Sequence, residues 1–120
     1  MMNTDKPDMF ADDESHPIPF LSALDVYAVK RRGGATLALV IASPLKADER
    51  SQRRLLGKLE TYLGFINSQE FRKKAGAPSI SNTEITVTLH HDSDPVISSL
   101  LARCVDWAAE NNARLVVESI

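Results

Sequence analysis

The chain has 120 residues, of which 43% are hydrophobic and 25% are charged, so it has the length and composition of a single globular domain. Its formal net charge is only −2, which by itself points to no class of partner. The longest purely apolar run, residues 37–42, is far shorter than the roughly 20 residues of a membrane-spanning helix, so we expect no membrane span.

Charge is unevenly distributed along the chain: residues 1–19 are acidic, residues 20–74 are basic and residues 75–120 are acidic. Such asymmetry points to association with charged partners rather than to a particular fold. The first 19 residues also contain three prolines and show neither a strand nor a helix period. We therefore expect a disordered or loosely docked acidic tail over residues 1–19 and a single domain over residues 20–120.

The compartment is inferred from cysteine usage and from the N-terminal sequence. Cys104 is the only cysteine, so the chain forms no intrachain disulfide, and its apolar helical setting favours a buried, inert thiol. Residues 1–19 lack the basic start and apolar stretch of a secretory signal. We expect a cytoplasmic protein.

The first two predicted strands form an antiparallel hairpin. Residues 22–30 alternate in the manner of a strand, and residues 35–42 form the continuous apolar run typical of an interior strand. Between them lie Arg31-Arg32-Gly33-Gly34, and a glycine pair supplies the positive φ angles of a tight hairpin turn. A phosphate-binding loop would need a helix and a Lys-Ser/Thr pair directly after the glycines, and neither is present.

A long helix is predicted over residues 47–73, with Asp48 as its N-cap and Gly76 and Pro78 beyond its end. Its apolar side chains fall within about one third of the helix circumference and should face the core. They are Leu55, Leu56, Leu59, Tyr62, Leu63 and Ile66.

A third strand, a second helix and a fourth strand complete the chain. Residues 84–91 alternate with Ile85, Val87 and Leu89 inward. Ser93 or Asp94 can cap a helix that begins at Pro95. The apolar stripe of that helix comprises Ile97, Leu100, Leu101, Cys104, Val105 and Ala108, Asn111-Asn112 suits its end, and residues 114–118 form the last strand.

The order β-β-α-β-α-β predicts an α/β protein of the α+β kind. We expect a two-layer sandwich in which a four-stranded mixed sheet carries two helices on one face. If both helices are right-handed crossovers, the last three strands run parallel and only the first is antiparallel. The length of loop 76–82 leaves the direction of the third strand open.

Residues 56–68 read Leu-Gly-Lys-Leu-Glu-Thr-Tyr-Leu-Gly-Phe-Ile-Asn-Ser, which has the form L-x-K-L-x-x-Y-L-x-F-I-x-S. Upstream, Leu24-Asp25 opens the first strand. In these features residues 23–118 resemble a family of small bacterial domains of unknown function. The resemblance implies the same order of elements and a bacterial origin, and it implies no activity.

Two positions depart from that family pattern. Members tend to carry Ser-Gly after the helix, where this chain has Ser68-Gln69. They often carry an acidic or aromatic cluster before the helix, where this chain has Lys46-Ala47-Asp48-Glu49. Both departures lie at the ends of the helix that carries the motif.

The one dense cluster of ligand-type residues is His90-His91-Asp92-Ser93-Asp94, where a strand ends and a helix begins. His90 and His91 would point to opposite faces if both lay in the strand, which leaves His91, Asp92 and Asp94 as candidate metal ligands. A surface turn with a helix cap is the favoured interpretation. No nucleophile or phosphate-loop motif occurs, so we predict no catalytic residue and no cofactor.

Small residues form a row along the first predicted helix. Gly57, Thr61, Gly64 and Ser68 are spaced four, three and four residues apart, on a face turned away from the leucine stripe. Glycine in a helix interior costs about 1 kcal/mol relative to alanine, which favours close approach of another backbone. We predict a homodimer contact here with Phe65 and Tyr62 at its edge; a loop of the same chain in the groove, or a loosely optimised surface, is the alternative.

Basic residues form two clusters. Arg31 and Arg32 lie in the hairpin turn, Arg72, Lys73 and Lys74 end the long helix, and the chain path places both clusters at one end of the sandwich. Arg114 joins them if the last strand is parallel. The acidic residues Asp48, Glu49, Asp92 and Asp94 should gather at the other end. The basic patch suits an acidic protein partner or the chain's own tail, and nucleic acid is the alternative ligand. Solvated charge without a ligand is the third interpretation.

These observations favour a non-enzymatic binding or regulatory module that acts through protein–protein contacts. A nucleic-acid-binding protein that uses the basic patch and a metal-dependent enzyme centred on residues 90–94 are the two alternatives.

Overall fold

A computed structural model describes residues 10–120 of the chain. Its strands are β1 (Val26–Val29), β2 (Ala35–Ile41), β3 (Glu84–Leu89) and β4 (Arg114–Ser119), hydrogen-bonded in the order β1-β2-β3-β4. β1 is antiparallel to β2, whereas β2, β3 and β4 are mutually parallel. The mixed four-stranded sheet of an α+β protein is therefore confirmed, and the direction of β3 is now known.

The hairpin between β1 and β2 turns at Gly33 and Gly34, whose φ angles are 96° and 80°. The Lys30 amide donates to the Gly34 carbonyl over 2.9 Å. A Cβ on Gly34 would stand 2.1 Å from the Asn82 carbonyl oxygen. Both the left-handed backbone and the close approach of the loop before β3 therefore require glycine at position 34.

The single helix predicted over residues 47–73 is wrong: the segment forms two helices, α1 (Glu49–Ile66) and α2 (Gln69–Ala75). Asp48 caps α1 as predicted, since its carboxylate accepts from the Ser51 amide. Ser68 starts α2 in the same way, with its Oγ accepting from the Phe71 amide over 3.1 Å. A serine that can cap a new turn competes with helix continuation, and here the cap forms.

The second predicted helix is likewise divided, into α3 (Pro95–Arg103) and α4 (Val105–Glu110). Asp94 caps α3 by accepting from the Val96 amide over 2.9 Å. Cys104 lies between the two segments and is buried, which raises the pKa of its thiol and suppresses the reactive thiolate. α4 ends in a turn in which Asn112 takes a φ of 69°.

The core lies on one face of the sheet. Alternate residues of the three parallel strands point into it, and the apolar stripes of α1 and α3 pack against them. The sheet residues buried there are Ala35, Leu37, Leu39, Ile41, Ile85, Val87, Leu89 and Leu115. On the opposite face Val40 of β2 is 50% exposed, so this interior strand is buried on one side rather than on most of its surface.

Residues 10–25 form a strap that packs along α1. Ile18 and Leu21 are buried in the same core cluster as the sheet residues. The folded part of the chain therefore begins before the boundary expected at residue 20. Residues 1–9 of the predicted tail lie outside the described residues.

None of the helices formed by residues 10–120 combines the length and the apolar character that crossing a bilayer requires.

Candidate functional site

The strap is held to α1 by a buried arginine. Arg54 is fully buried, and its guanidinium donates to the carbonyls of Ala11 (2.7 Å), Ile18 (2.6 and 3.0 Å) and Pro19 (3.0 Å). Burial lowers the pKa of Arg54, because the charged form loses its hydration. These contacts use the cation to satisfy backbone carbonyls, so Arg54 has a structural role.

A buried lysine one turn further along α1 performs the same task. The Lys58 ammonium donates to the carbonyls of Phe20 and Ala23 and to a carboxylate oxygen of Asp25 at 3.0 Å. Tyr62 accepts from the Asp25 amide and donates to the Ala38 carbonyl, and burial raises its pKa to about 12. The polar residues of the L-x-K-L-x-x-Y motif thus join α1 to the strap and to β2.

His16 fastens the middle of the strap. Its Nδ1 accepts from the Ile18 amide over 2.9 Å, so the proton of the neutral ring lies on Nε2, which is 3.0 Å from Ser51 Oγ. Desolvation lowers the pKa of His16, and the cations Arg54 and Arg50 lower it further. Protonation of Nδ1 would remove the acceptor that holds the Ile18 amide.

The strap is therefore expected to loosen in acid. Because the pKa of His16 is lowered in the fold, the unfolded chain takes up a proton first, so the stability that neutral His16 contributes is complete above its ordinary pKa of 6.5 and is lost as the pH falls below it. We expect the urea concentration at the midpoint of unfolding to decrease when the pH is lowered from about 7.5 to about 5.5. The decrease should be smaller in His16→Gln and unchanged in His91→Gln, a matched variant at an exposed turn. An unchanged slope in His16→Gln would contradict this role.

The acidic part of the strap pairs with the first turn of α1. Arg50 donates to the Asp13 carboxylate over 2.6 Å. The Ser15 hydroxyl and amide also donate to Asp13, and with Arg50 they hold the pKa of that carboxyl well below its usual range. Asp13, in the described part of the acidic tail, therefore pairs with α1 and not with the basic clusters of the hairpin turn and α2.

Those two basic clusters meet at one end of the sheet. The Gly34 amide donates to the Ala75 carbonyl over 2.7 Å, which holds the hairpin turn against the last turn of α2. We call this surface the basic end; its residues are Arg31, Arg32, Arg72, Lys73 and Lys74. Hydrogen bonding to Glu70 raises the pKa of Lys74, and the other four make no ion pair within the described part of the chain.

Arg114 begins β4 at the same end of the sheet. Its guanidinium pairs with the Glu84 carboxylate, and the Thr86 hydroxyl together with Arg114 lowers the pKa of Glu84. The pair crosses between neighbouring strands on the face of the sheet turned away from the core. Arg114 is thus close to the basic end, but part of its charge is already neutralised.

Acidic side chains gather at the opposite end. The loop before α1 and the loop before α3 are joined there, because Leu45 donates to Ser93 Oγ and its carbonyl accepts from the Asp94 amide. We call this surface the acidic end; its residues are Asp48, Glu49, Asp92 and Asp94.

The candidate metal ligands lie at this acidic end. β3 ends at Leu89, two residues before the predicted end of this strand, so His90 and His91 both follow it and the condition for opposite faces is not met. Their rings stack 4.3 Å apart. Potential ligand atoms of His90, His91 and Asp92 lie within 4.8 Å of one another, whereas Asp94 is outside this group and caps α3.

The hydrogen bonds of the two rings decide which nitrogens are open. His91 Nδ1 is 2.8 Å from the Ile120 carbonyl, so it carries the proton and leaves Nε2 open, 3.6 Å from an Asp92 oxygen. His90 Nδ1 accepts from the Asp92 amide, which places its proton on Nε2. The neutral tautomers therefore offer one imidazole nitrogen and one carboxylate, where a structural zinc site has four ligands.

The row of small residues on α1 is covered at one end. A Cβ on Gly57 would lie 3.4 Å from the Phe10 ring and 3.6 Å from Leu21, so the strap fills the space beside Gly57. Thr61 donates to the Gly57 carbonyl, and Gly64 has open space around it. A contact with another copy through Thr61 and Gly64 stays a prediction.

The other residues of that predicted contact have partners within the chain. Tyr62 is fully buried and donates to the Ala38 carbonyl, so it is not an anchor for a second copy. Phe65 is half-buried, with its ring 5.1 Å from that of Tyr27 and 5.6 Å from that of Phe71. Ser68 is the cap of α2. An aromatic cluster and a helix cap therefore account for Phe65 and Ser68.

A groove of about 360 Å³ lies beside this row, between the strap and α4. Its walls are Phe10 of the strap and Trp107 of α4, and its floor includes Leu56 and Gly57. The sequence pattern does not assign Trp107 to any site, because Trp107 lies beside the apolar stripe of its helix and not within it.

The fold thus defines an α+β protein on a four-stranded mixed sheet, with charge of opposite sign at its two ends. No family model, curated protein or solved structure matches the chain.

Proposed function

We propose that the chain is a non-enzymatic binding module that docks an acidic segment of a partner protein on its basic end. The supporting observation is that the hairpin turn and the end of α2 lie against each other, joined by the hydrogen bond from Gly34 to Ala75. Four of the five cations there make no ion pair in residues 10–120. Their charge is available for a ligand.

The rigidity of this surface favours binding. Gly34 has a left-handed backbone and touches Asn82, so the turn is fixed against the loop before β3. The last turn of α2 is fixed to the turn by Ala75. A partner that meets a preorganised surface pays less conformational entropy on binding.

An acidic protein segment fits this end better than nucleic acid. Glu70 and Glu84 lie among the cations, which lowers the net positive charge that phosphate contacts need. The aromatic ring in this region, Tyr27, already packs against Phe65 and is not free to stack on a base. Short-range pairing with carboxylates requires neither feature.

We also propose that the fold is a two-layer sandwich and that the chain is related to the family of small bacterial domains. The element order with each divided helix counted once, β-β-α-β-α-β, and the core on one sheet face support a two-layer sandwich. The L-x-K-L-x-x-Y-L-x-F-I-x-S spacing of residues 56–68 is the basis of the proposed relationship to the family of small bacterial domains. A bacterial, cytoplasmic setting goes with that resemblance and with the free Cys104.

The docking proposal is tested by reversing charge in the turn. A fluorescent Glu-rich peptide should bind the wild-type protein at low salt, and Arg31→Glu/Arg32→Glu should weaken binding by about tenfold or more, because attraction becomes repulsion. The matched control is Arg53→Glu/Arg103→Glu, which makes the same change in net charge on the exposed sides of α1 and α3. Fluorescence anisotropy measures all three proteins.

Two results would overturn the proposal. Equal loss of peptide binding in both double variants would show a response to net charge only. Tighter, turn-dependent binding of a single-stranded oligonucleotide than of the peptide would favour the nucleic-acid alternative.

A further inference from the structure

β4 is an open edge of the sheet. It has six residues and pairs with β3 on one side, and no strand of residues 10–120 lies on its other side. The opposite edge, β1, has only four residues. Edge strands are usually protected by shortness, proline, lysine or a bulge, and β4, with the sequence RLVVES, contains neither proline nor lysine. It is therefore suited to pair with another strand.

The backbone groups that face this edge follow from the ladder. Arg114 donates its amide to Thr83, and Ile120 donates its amide to Leu89. In a parallel ladder alternate residues bond to the same neighbour, so the even-numbered residues of β4 are directed at β3. The amides and carbonyls of Leu115 and Val117 are consequently directed outward.

We propose that β4 pairs antiparallel with β4 of a second copy of this chain, with Val116 opposite Val116 at the two-fold axis. The product is a continuous eight-stranded sheet with both sets of helices on the same face. In this register Leu115 lies opposite Val117 of the second copy. Because both residues direct their backbone groups outward, they form the closely bonded pairs of an antiparallel ladder.

Charge selects this register. Arg114 and Glu118 are four residues apart on the same face of β4. Pairing about Val116 therefore places Arg114 of each copy opposite Glu118 of the other copy. Two cross-strand contacts of opposite charge result, each between Glu118 of one copy and an Arg114 that also pairs with Glu84 of its own chain, and such contacts stabilise a sheet. A shift of two residues in either direction removes both, so the strand is self-complementary in one arrangement.

The helices fit the same arrangement. α3 and α4 cross over β3 and β4, so the helical layers of the two copies would stand two strand spacings apart, or about 9.5 Å. That separation lies within the 8–10 Å at which helices pack. Pairing of the strands therefore brings the two helical layers into contact without displacing either.

The helix flank that would meet its copy is uncharged. Trp107 lies beside α1 and marks the inner flank of α4. The other flank carries exposed small or apolar residues at helical spacing: Ser98, Ala102, Val105 and Ala109. Val105 is 41% exposed, and the dimer would cover it.

The charged ends also agree with this pairing. A two-fold axis normal to the sheet reverses one copy relative to the other, so the basic end of each would lie beside the acidic end of its mate. Arg114, at the start of β4, and Glu118, near its end, are the points at which these ends meet. Long-range attraction between the copies then favours the antiparallel arrangement.

Sedimentation equilibrium with charge-swap variants tests the proposal. The wild-type protein should have twice the 13.2 kDa mass of the chain. Glu118→Arg, at an exposed position, should raise the dimer dissociation constant on the order of tenfold or more, because it sets like charges opposite each other twice. The triple variant Glu84→Arg/Arg114→Glu/Glu118→Arg, which keeps opposite charges at positions 84 and 114, should restore the dimer.

Hydrogen exchange provides a second readout on the same proteins. In the wild-type dimer the amides of Leu115 and Val117 should be protected, and Glu118→Arg should remove that protection by about tenfold or more. The amide of Val116 should stay protected in both proteins, since it bonds to β3. A protein that has merely lost its fold would lose all three.

A proline variant blocks the edge directly. Val117→Pro removes an amide that is directed outward from β4 and should give monomers. Val29→Pro, at the end of the opposite edge strand β1, should leave the dimer intact. A monomeric wild-type protein at high micromolar concentration would overturn the proposal. So would a dimer that keeps its affinity in Glu118→Arg, because its contact would then lie elsewhere, for instance at Thr61 and Gly64.

Discussion

Replacement of Arg54 by leucine is expected to lower the free energy of unfolding by about 3–5 kcal/mol. The guanidinium is the donor for the carbonyls of Ala11, Ile18 and Pro19, which belong to the strap. Leucine has no donor, so these acceptors lose their partner where water is largely excluded. Urea unfolding followed by the fluorescence of Trp107 and by circular dichroism measures the loss.

Arg53 supplies the matched control for this prediction. It is the preceding residue of α1, its side chain is 57% exposed, and it pairs with Glu49 on the helix surface. Arg53→Leu should change the free energy of unfolding by less than about 0.5 kcal/mol. Equal losses in the two variants would show that Arg54 acts only through net charge or helix propensity.

Replacement of Lys58 by methionine is expected to cost about 2–4 kcal/mol of stability. Methionine preserves most of the aliphatic stem, so the variant isolates the ammonium, which donates to Phe20, Ala23 and Asp25. The carbonyls at the end of the strap would be left without their donor. Urea unfolding again gives the magnitude, and Lys46→Met, at an exposed position, is the control.

The contribution of the Lys58–Asp25 ion pair to the free energy of unfolding can be measured separately from that of the Lys58 contacts with backbone carbonyls. The Asp25 side chain is 36% exposed, and asparagine keeps the oxygen that accepts from Lys58. Asp25→Asn should therefore cost less than about 1 kcal/mol. A loss as large as that of Lys58→Met would assign the stability to the ion pair instead of the carbonyl contacts.

The parts of the fold that the sequence predicts correctly are those with local signals. The alternation predicted over residues 84–91 and the Gly33-Gly34 turn each have a direct physical cause. The turn appears as predicted, and the strand appears over residues 84–89, two residues shorter than predicted. Asp94 followed by Pro95 marks a helix start in the same way. The break at Ser68 was missed because the apolar spacing continues through it, although a serine three residues before Phe71 is a cap signal.

The strap and its anchors could not be predicted from composition. Ile18 lies among acidic residues and prolines, which average to the profile of a disordered tail, and one buried side chain does not change that average. Arg54 and Lys58 look like solvated cations. The one sequence feature that indicates their burial is their position on α1. With Ser51 and Tyr62 they form a row along the edge of the apolar stripe.

The basic end was predicted because chain direction alone places the turn and the helix end together, and the bond from Gly34 to Ala75 accounts for that proximity. The row from Gly57 to Ser68 has a less specific signal. Glycine spacing shows that something approaches a helix closely, but it does not distinguish another molecule from the strap of the same chain.

The strap has a consequence for the order of folding. The hydrogen bonds from Arg54 and Lys58 to its carbonyls span about 35 residues, so during synthesis the strap emerges well before the helix that receives it. Sheet and helices can first assemble with both cations still hydrated, and their dehydration then accompanies the closing of the strap. Contacts made after the transition state leave the folding rate nearly unchanged and slow unfolding, so a strap that closes last would slow the unfolding of an already assembled domain.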